Sequence, residues 1–184
     1  MIKPYDWQEE LMDSSYHLRV VVGSRKIGKT TACSLVSHLY KDVLWLGANY
    51  SMLSYAQDIV GNKIDVMFCN YNILDIGEIK GRVFNLIIID ELYSLSIENT
   101  IRVLKILWRL WRMYPQADWL VTGTPRAITV PFPTEIKIPQ PLKVFRNLSE
   151  EFGKTWHILS DDTSLMELMP ERVYRQELLA EFLE

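Results

Sequence analysis

The chain has 184 residues, of which 48% are hydrophobic and 23% charged, and this composition predicts one soluble globular domain rather than a disordered or fibrous protein. Its 20 basic and 23 acidic side chains give a net charge of -3, which excludes a general positive surplus for binding nucleic acid. Any contact with DNA must therefore come from a local patch. No signal peptide is recognisable, and no apolar run is long enough to span a membrane.

Predicted strands and helices alternate along the sequence. Apolar, β-branched runs predict buried strands at 17–22, 43–46, 84–89 and 119–122. Apolar residues at helical spacing predict helices at 30–40, 51–60 and 97–113. This alternation predicts an α/β fold, in which a mainly parallel central sheet is flanked by helices.

Two segments fall outside this alternation. Residues 126–147 contain four prolines and alternate apolar with polar residues, which predicts a peripheral Pro-rich hairpin or extended loop. Residues 164–184 predict a helical tail that reaches the end of the sequence without a terminating glycine or proline, so we expect more chain to follow. Cys33 and Cys69 form no CxxC motif, and we expect neither a zinc site nor a disulfide.

The segment GSRKIGKT, at positions 23–30, lies between the first predicted strand and the next helix. Gly23 and Gly28 allow the backbone to curl so that successive N–H groups face a phosphate, and the helix N-terminus adds partial positive charge. Lys29 would then reach the β- and γ-phosphates of a nucleotide, and the Thr30 hydroxyl would bind Mg²⁺. This pattern and its placement predict a Walker A phosphate-binding loop.

Two adjacent carboxylates, Asp90 and Glu91, follow the predicted strand at 84–89. Ligands of open α/β sheets bind at the carboxyl ends of the strands, so this pair is predicted to face the phosphate-binding loop. The pattern is typical of a Walker B motif, in which Asp90 would hold Mg²⁺ and Glu91 would orient and deprotonate the attacking water. The other interpretation is an acidic pair that simply begins a loop.

The predicted strand at 119–122 ends in Thr122, Gly123 and Thr124. In P-loop ATPases of the additional-strand, catalytic-glutamate type, the strand that carries such a motif lies between the other two motif strands. Thr122 or Thr124 is then predicted to lie near the γ-phosphate and to couple its loss to the rest of the fold. The alternative is an ordinary strand-to-turn sequence.

The helix predicted at 97–113 carries a basic stripe at spacings of three and four residues. Its members are Arg102, Lys105, Arg109 and Arg112. Such a stripe can follow the phosphate backbone of DNA. The alternative is a solvated face that lies opposite an apolar side formed by Ile101, Leu104, Trp108 and Trp111.

Together these motifs resemble the ATPase domain of the large terminase subunit, the motor that packages DNA into the capsids of tailed bacteriophages. PYDWQEEL at 4–11 resembles the adenine-recognition motif of that family, GSRKIGKTT its arginine-containing Walker A loop, and residues 121–125 its coupling motif. Residues 164–184 resemble the segment that leads to the family's nuclease domain. The resemblance implies one P-loop ATPase domain over 1–184, with an adenine-motif arm at 1–16. The family's nuclease domain has no counterpart in these residues, and we expect either that the domain is excised from a longer chain, which the helical end favours, or that the nuclease is on another chain.

The resemblance also implies roles for individual residues. Gln8 would bind the adenine edge with Tyr5 or Trp7 beside the base, and Arg25 would act with Lys29 and Glu91 at the γ-phosphate. The implied nucleotide contacts are Tyr5, Trp7, Gln8, Gly23, Ser24, Arg25, Lys26, Ile27, Gly28, Lys29, Thr30 and Thr31. The implied magnesium ligands are Thr30 and Asp90.

Some members of the family place an arginine finger, which reaches a neighbouring subunit, in an Arg-Gly pair shortly before Walker B. This sequence has Lys80-Gly81-Arg82 at the matching place. A lysine lacks the planar fork of a guanidinium. Arg82 is therefore the better candidate for the finger and Lys80 the second.

The function that the resemblance implies is hydrolysis of ATP, with Mg²⁺ as cofactor, to drive double-stranded DNA into a procapsid in the host cytoplasm. Its implied partners are DNA, the portal protein, the small terminase subunit and further copies of the chain in a ring on the capsid, with a monomer in isolation, no membrane contact and no nuclease activity. One alternative is a superfamily 2 helicase-like ATPase fragment, which shares a glutamine motif and an Asp-Glu Walker B. Another is a nucleotide-dependent assembly protein with slow turnover.

Overall fold

The computed structural model describes residues 4–24, 26–63, 65–93, 97–125 and 141–159. Helices and strands alternate through these ranges. In chain order they are α1 (Asp6–Asp13), β1 (Leu18–Gly23), α2 (Lys29–Ser37), β2 (Val43–Gly47), α3 (Tyr50–Val60), β3 (Val66–Asn70), α4 (Ile76–Ile79), β4 (Leu86–Ile89), α5 (Ile97–Met113), β5 (Asp118–Gly123), α6 (Pro141–Phe152) and β6 (Gly153–Ile158).

The six strands form one parallel sheet in the order β3-β2-β4-β5-β1-β6. Strand β5 lies between β1 and β4, with Val22 beside Gly123 and Ile89 beside Val121. Because parallel strands all end at the same edge, the three predicted motifs adjoin there. This arrangement confirms the α/β class and the predicted central place of the third motif strand.

Apolar side chains are buried on both faces of the sheet. Helices α4, α5 and α6 cover one face, and α1, α2 and α3 cover the other. Successive residues of β1 alternate between the two core clusters, as Val20, Val21 and Val22 show, because side chains along a strand point to opposite faces. Both faces of the sheet are thus covered by helices.

The four predicted strands and three predicted helices are confirmed, with boundaries that shift by up to a few residues. Helix α5 begins and ends at the predicted residues 97 and 113. The additional elements are α1, β3, α4, α6 and β6. Strand β3, with the sequence VMFCN, is an edge strand whose side chains are half-buried along its whole length, although four of its five residues are apolar.

The prediction of a hairpin or loop over 126–147 is wrong for residues 141–147, which form the first part of α6. Proline suits the first position of a helix because its fixed φ is helical and its missing N–H would have no partner there. The helix then buries Leu142 and Phe145 in the core. Residues 126–140 lie outside the described ranges.

Two further predictions fall on residues that the structure does not describe, the loop arginine Arg25 and the helical tail at 164–184. Cys33 and Cys69 are both free thiols, as expected. Within the described ranges, no helix has the combination of length and apolar character that crossing a bilayer requires.

Candidate active site

The carboxyl edge of the sheet brings the three motifs into direct contact. The Lys29 ammonium from the end of the loop after β1 lies 3.6 Å from Glu91 Oε2 and donates to Thr124 Oγ1 over 2.9 Å. Thr122 Oγ1 donates to Asp90 Oδ1 over 3.0 Å. Residues from three separate parts of the sequence thus form one polar cluster.

Lys29 is the buried cation of this cluster, with 6% of its side chain exposed. Its Nζ also donates to the Gly23 carbonyl over 3.0 Å and to the Ser24 carbonyl over 2.6 Å. Together with the bond to Thr124, these contacts use all three N–H donors of an ammonium. Burial lowers the pKa of Lys29, and the neighbouring Glu91 and Asp90 oppose that shift.

The loop before α2 depends on a glycine at position 28. Gly28 has a φ of +86°, a left-handed conformation that is strained for residues with a Cβ. A Cβ there would also lie 3.0 Å from Gln8 Nε2. Helix α2 begins at the next residue, so its first N–H groups point toward the loop.

Asp90 is almost completely buried at the end of β4, with 1% of its surface exposed. Its Oδ1 accepts hydrogen bonds from Thr122 and, over 3.3 Å, from the Thr30 hydroxyl. Desolvation raises the pKa of Asp90 to about 6, with a further contribution from the Glu91 charge, whereas the two threonine bonds oppose the shift. The carboxylate is therefore placed where additional positive charge would stabilise it.

Glu91 adopts an unusual backbone conformation, with a φ of +55°. A left-handed non-glycine residue costs about 1 to 3 kcal/mol, so surrounding contacts must hold it. The Glu91 N–H donates to Thr122 Oγ1 over 3.1 Å, and Glu91 Oε1 accepts from the Thr124 N–H over 3.2 Å. This turn directs the Glu91 carboxylate toward Lys29, so both acids of the predicted Walker B motif face the loop.

Sequence comparison alone finds no counterpart, because no protein-family model and no curated protein match the chain. Solved structures do match. The ATPase domain of the large terminase of Thermus phage P74-26 aligns with a TM-score of 0.61 and 15% identity, over 98% of this chain and 94% of that chain. The large terminase of bacteriophage HK97 aligns with a TM-score of 0.58 and 10% identity, over 98% of this chain and 44% of that chain.

The chain has the fold of a large terminase ATPase domain. It spans nearly all of the isolated Thermus phage domain and less than half of the HK97 chain. In this terminase-type fold the described polar cluster occupies the carboxyl edge of the sheet, the usual ligand-binding edge of open α/β sheets.

The N-terminal part of the chain places two of the three residues predicted to contact adenine against the predicted phosphate-binding loop. Gln8 is 2% exposed, donates from Nε2 to the Gly28 carbonyl over 3.0 Å, and accepts at Oε1 from the Tyr5 N–H. The Tyr5 ring is 63% exposed and lies near Gly28. Trp7 is half-buried and packs against the core cluster on the α1–α3 face.

The remaining loop residues differ in exposure. Ser24 is buried, and its N–H donates to the Ile158 carbonyl of β6. Lys26 is exposed and has a φ of +62°, whereas Ile27 and Thr31 are half-buried. Arg25 lies outside the described residues. The loop is thus fixed at both ends, by β6 at Ser24 and by Gln8 at Gly28.

The candidate finger residues, Lys80 and Arg82, are exposed and precede β4. They therefore lie at the amino end of the strand, whereas Asp90 follows its carboxyl end. The four residues of β4 span roughly 13 Å, so this segment lies at the amino edge of the sheet, opposite the carboxyl edge that carries the polar cluster. The structure does not bring these cations to the site of their own chain.

The basic stripe on α5 is exposed at all four positions, as predicted. The predicted apolar side opposite it is wrong at two positions, because Ile101 and Trp108 are themselves exposed, by 38% and 58%. The apolar side chains that α5 buries are Val103, Ile106, Leu107 and Leu110. Both apolar sets have helical spacing, and only the position of the sheet selects between them.

A magnesium ion fits the donors at Thr30 and Asp90, whose oxygens lie 3.3 Å apart. Mg²⁺ is usually held by one or two protein oxygens together with phosphate and water, rather than by an all-protein cage. Among the described residues, no group of three His, Cys, Asp or Glu side chains converges. The raised pKa of Asp90 indicates a carboxylate that a divalent cation would stabilise.

Sequence reasoning missed Tyr71, a fully buried residue directly after β3. Its hydroxyl lies 3.2 Å from the Glu91 carbonyl oxygen. The tyrosine belongs to no recognised motif, and β3 was not predicted, so only the sheet order reveals this contact.

We expect the free energy of unfolding of the metal-free protein to fall as the pH rises from about 4 to about 6. The raised pKa means that the folded protein holds the Asp90 proton more tightly than the unfolded chain, whose aspartate titrates near 3.8. The protonated carboxyl therefore stabilises the fold at low pH, and this stabilisation is lost as the pH passes the folded pKa. The side chain of the Asp90→Asn variant cannot ionise. In this variant the decrease in the free energy of unfolding from about pH 5 to about pH 7.5 should be about 1 kcal/mol smaller than in the wild type.

Urea denaturation in a chelating buffer measures this difference. Asp58→Asn, at an exposed position of α3, is the control and should keep the wild-type pH dependence. An unchanged pH dependence in Asp90→Asn would contradict the assignment of this titration to Asp90.

Proposed function

We propose that the chain hydrolyses ATP to translocate double-stranded DNA into a viral capsid, as the ATPase domain of a large terminase. The observation that carries this proposal is the cluster of Lys29, Asp90 and Glu91 at the carboxyl edge of a terminase-type sheet. A cation from a phosphate-binding loop and two acids from a neighbouring strand are the groups that phosphoryl transfer to water requires.

Lys29 binds the β- and γ-phosphates in this proposal. All its donors are used within the protein, by Gly23, Ser24 and Thr124, so contact with phosphate exchanges at least one of these bonds. The Thr124 hydroxyl is the partner from outside the loop. Exchange at Thr124 therefore links the arrival of phosphate to the end of β5, which is the coupling role proposed for Thr122, Gly123 and Thr124.

Glu91 acts as the general base. Its carboxylate is held by the Thr124 N–H and faces Lys29, so it lies beside the proposed γ-phosphate position. Thr30 and Asp90 hold Mg²⁺, which supplies positive charge to the phosphate oxygens when it is bound. The division of roles is simple: Glu91 takes a proton from water, and Asp90 and Thr30 provide metal ligands.

Gln8 and Tyr5 form the adenine side of the proposed site. An amide has two acceptor lone pairs and two N–H donors, and Gln8 uses one of each within the protein. The remaining acceptor and donor match the adenine edge, which offers an N–H donor at N6 and an acceptor at N7. The exposed Tyr5 ring lies on the same side of the loop and provides a surface for the base.

The basic stripe on α5 is proposed to contact the DNA backbone. Its four cations are exposed together with Trp108, and they lie on the side of α5 that faces away from the sheet. Duplex DNA carries one negative charge per roughly 1.7 Å of its axis, so a stripe of cations along one helix complements its surface. The portal protein, the small terminase subunit and further copies of this chain are proposed partners of the same motor.

We expect the chain to hydrolyse ATP faster in the presence of duplex DNA, and a variant without the stripe to lose this stimulation. The variant carries glutamine at positions 102, 105, 109 and 112. Because each phosphate contact contributes about -0.9 to the slope of log affinity against log salt, the loss of four contacts should weaken the slope by roughly 3.6. ATP hydrolysis without DNA should not change, since α5 contributes no side chain to the described polar cluster.

A charge-matched variant controls for the loss of four cations. It carries glutamine at Lys41, Lys143, Arg146 and Lys154. Equal loss of affinity in both variants would show that only total charge matters and would remove the stripe from the proposal. Strand separation by the chain would favour the helicase-like alternative, and binding of ATP without turnover would favour the assembly protein.

A further inference from the structure

Tyr71 connects the turn after β3 to the backbone that follows β4. Its hydroxyl oxygen lies 3.2 Å from the Glu91 carbonyl oxygen and 3.3 Å from the Tyr93 carbonyl oxygen, and it accepts from the Tyr93 N–H over 3.4 Å. The side chain has no exposed surface. A single buried hydroxyl thus contacts the peptide groups on either side of Leu92.

Hydrogen bonds to the backbone at the end of β2 fix the position of Tyr71. The Tyr71 N–H donates to the Gly47 carbonyl at the end of β2, over 3.0 Å. The neighbouring Asn72 side chain donates to the Ala48 carbonyl over 2.7 Å. The ring itself lies in the main core cluster. Tyr71 is therefore fixed at the ends of β2 and β3. Its hydroxyl holds the backbone that follows β4 in place and does not move with that backbone.

The peptide that Tyr71 contacts is the strained one. Glu91 has a left-handed φ of +55°, and this turn is what directs its carboxylate to Lys29. From β5, Thr122 accepts from the Glu91 N–H at its hydroxyl and from the Leu92 N–H at its carbonyl. From β3, Tyr71 holds the opposite end of the Glu91 residue, at its carbonyl. The conformation is braced from both sides.

We propose that Tyr71 is a positioning residue for Glu91, whose buried hydroxyl fixes the left-handed peptide that turns the Glu91 carboxylate toward the phosphate loop. The inference rests on the proposed ATP hydrolysis, in which Glu91 is the base. Tyr71 touches no reacting group, so it acts on the rate of the water-attack step through the orientation of Glu91. It contributes nothing to the binding of the nucleotide, which the phosphate loop and α1 provide.

The test is the Tyr71→Phe variant, which removes the hydroxyl and keeps the buried ring. We expect kcat for Mg-ATP hydrolysis to fall about tenfold, because small displacements of a general base slow proton transfer steeply. KM and the affinity for a non-hydrolysable ATP analogue should stay within about twofold of wild type, since phosphate and base contacts are intact.

Tyr114→Phe is the matched control. Tyr114 is also buried, and its hydroxyl also donates to a backbone carbonyl, that of Ile79 over 2.9 Å, away from the polar cluster. Both variants lose one buried hydroxyl, so a general loss of stability would lower the activity of both. We expect kcat to fall in Tyr71→Phe alone, while thermal denaturation reports similar melting temperatures for the two variants.

A second comparison uses Glu91→Gln as the background, with single-turnover measurements at excess protein. If Tyr71 acts through Glu91, adding Tyr71→Phe to this background causes no further loss. A further loss of about tenfold, or equal kcat in Tyr71→Phe and Tyr114→Phe, would overturn the inference. Failure of the proposed function has a different signature, in which Glu91→Gln itself hydrolyses ATP at the wild-type rate.

Discussion

Glu91→Gln is expected to bind ATP normally and to lose hydrolysis by about 10²- to 10⁴-fold, the usual contribution of a general base. The amide keeps an oxygen that can accept from the Thr124 N–H, so the local structure persists. It cannot take a proton from water. Because the proposed mechanism has Glu91 act on the attacking water and not on the bound phosphates, the loss should appear in kcat, with little change in nucleotide affinity.

Lys29→Ala is expected to lose nucleotide binding, because the proposed role of the Lys29 ammonium is contact with the phosphates. The two variants therefore separate binding from chemistry, which fluorescence binding of a labelled nucleotide and phosphate release measure independently. Glu150→Gln and Lys41→Ala, both at exposed positions, are the matched controls and should behave as wild type. Wild-type phosphate release by Glu91→Gln at saturating Mg-ATP would remove Glu91 as the base.

The second prediction with a large expected effect is that the rate of ATP hydrolysis depends on contact between copies of the chain. Arg82 and Lys80 lie before β4, at the edge of the sheet opposite the polar cluster. We propose that they complete the site of a neighbouring copy rather than their own. An arginine finger contributes roughly 10³ to 10⁵ in rate, so we expect hydrolysis to be slow in the dilute chain and to rise with protein concentration or on a capsid.

Mixing experiments identify the donor. Arg82→Ala should be inactive alone and should regain activity when mixed with Lys29→Ala subunits, which cannot bind ATP but keep Arg82. Lys80→Ala is tested in the same way, and Arg146→Ala on α6 is the control. A specific activity that stays constant with concentration, with no recovery on mixing, would show that the chain works alone or takes its finger from another segment.

Much of the proposed site could be predicted because its parts are short local patterns. A glycine-rich loop between a strand and a helix identifies Lys29 and Thr30, and an apolar strand ending in two acids identifies Asp90 and Glu91. The boundaries of α5 also follow from local spacing, because a helix repeats its apolar residues every three or four positions. Each of these predictions needs only neighbouring residues in the sequence.

Other features depend on which distant segments meet. Two apolar sets on α5 have helical spacing, and the sheet alone decides that Leu107 and Leu110 are buried while Trp108 is exposed. The amide of Gln8 bonds to the phosphate loop, a contact across twenty residues that no local pattern encodes.

The sequence by itself thus determined the order of the motifs and the chemical groups that they supply. Only the tertiary structure decided the left-handed turn at Glu91 and the contact of Tyr71 with its carbonyl. The physical reason is the parallel sheet, in which strands remote in sequence end at one edge and their hydrogen-bonding groups become neighbours there.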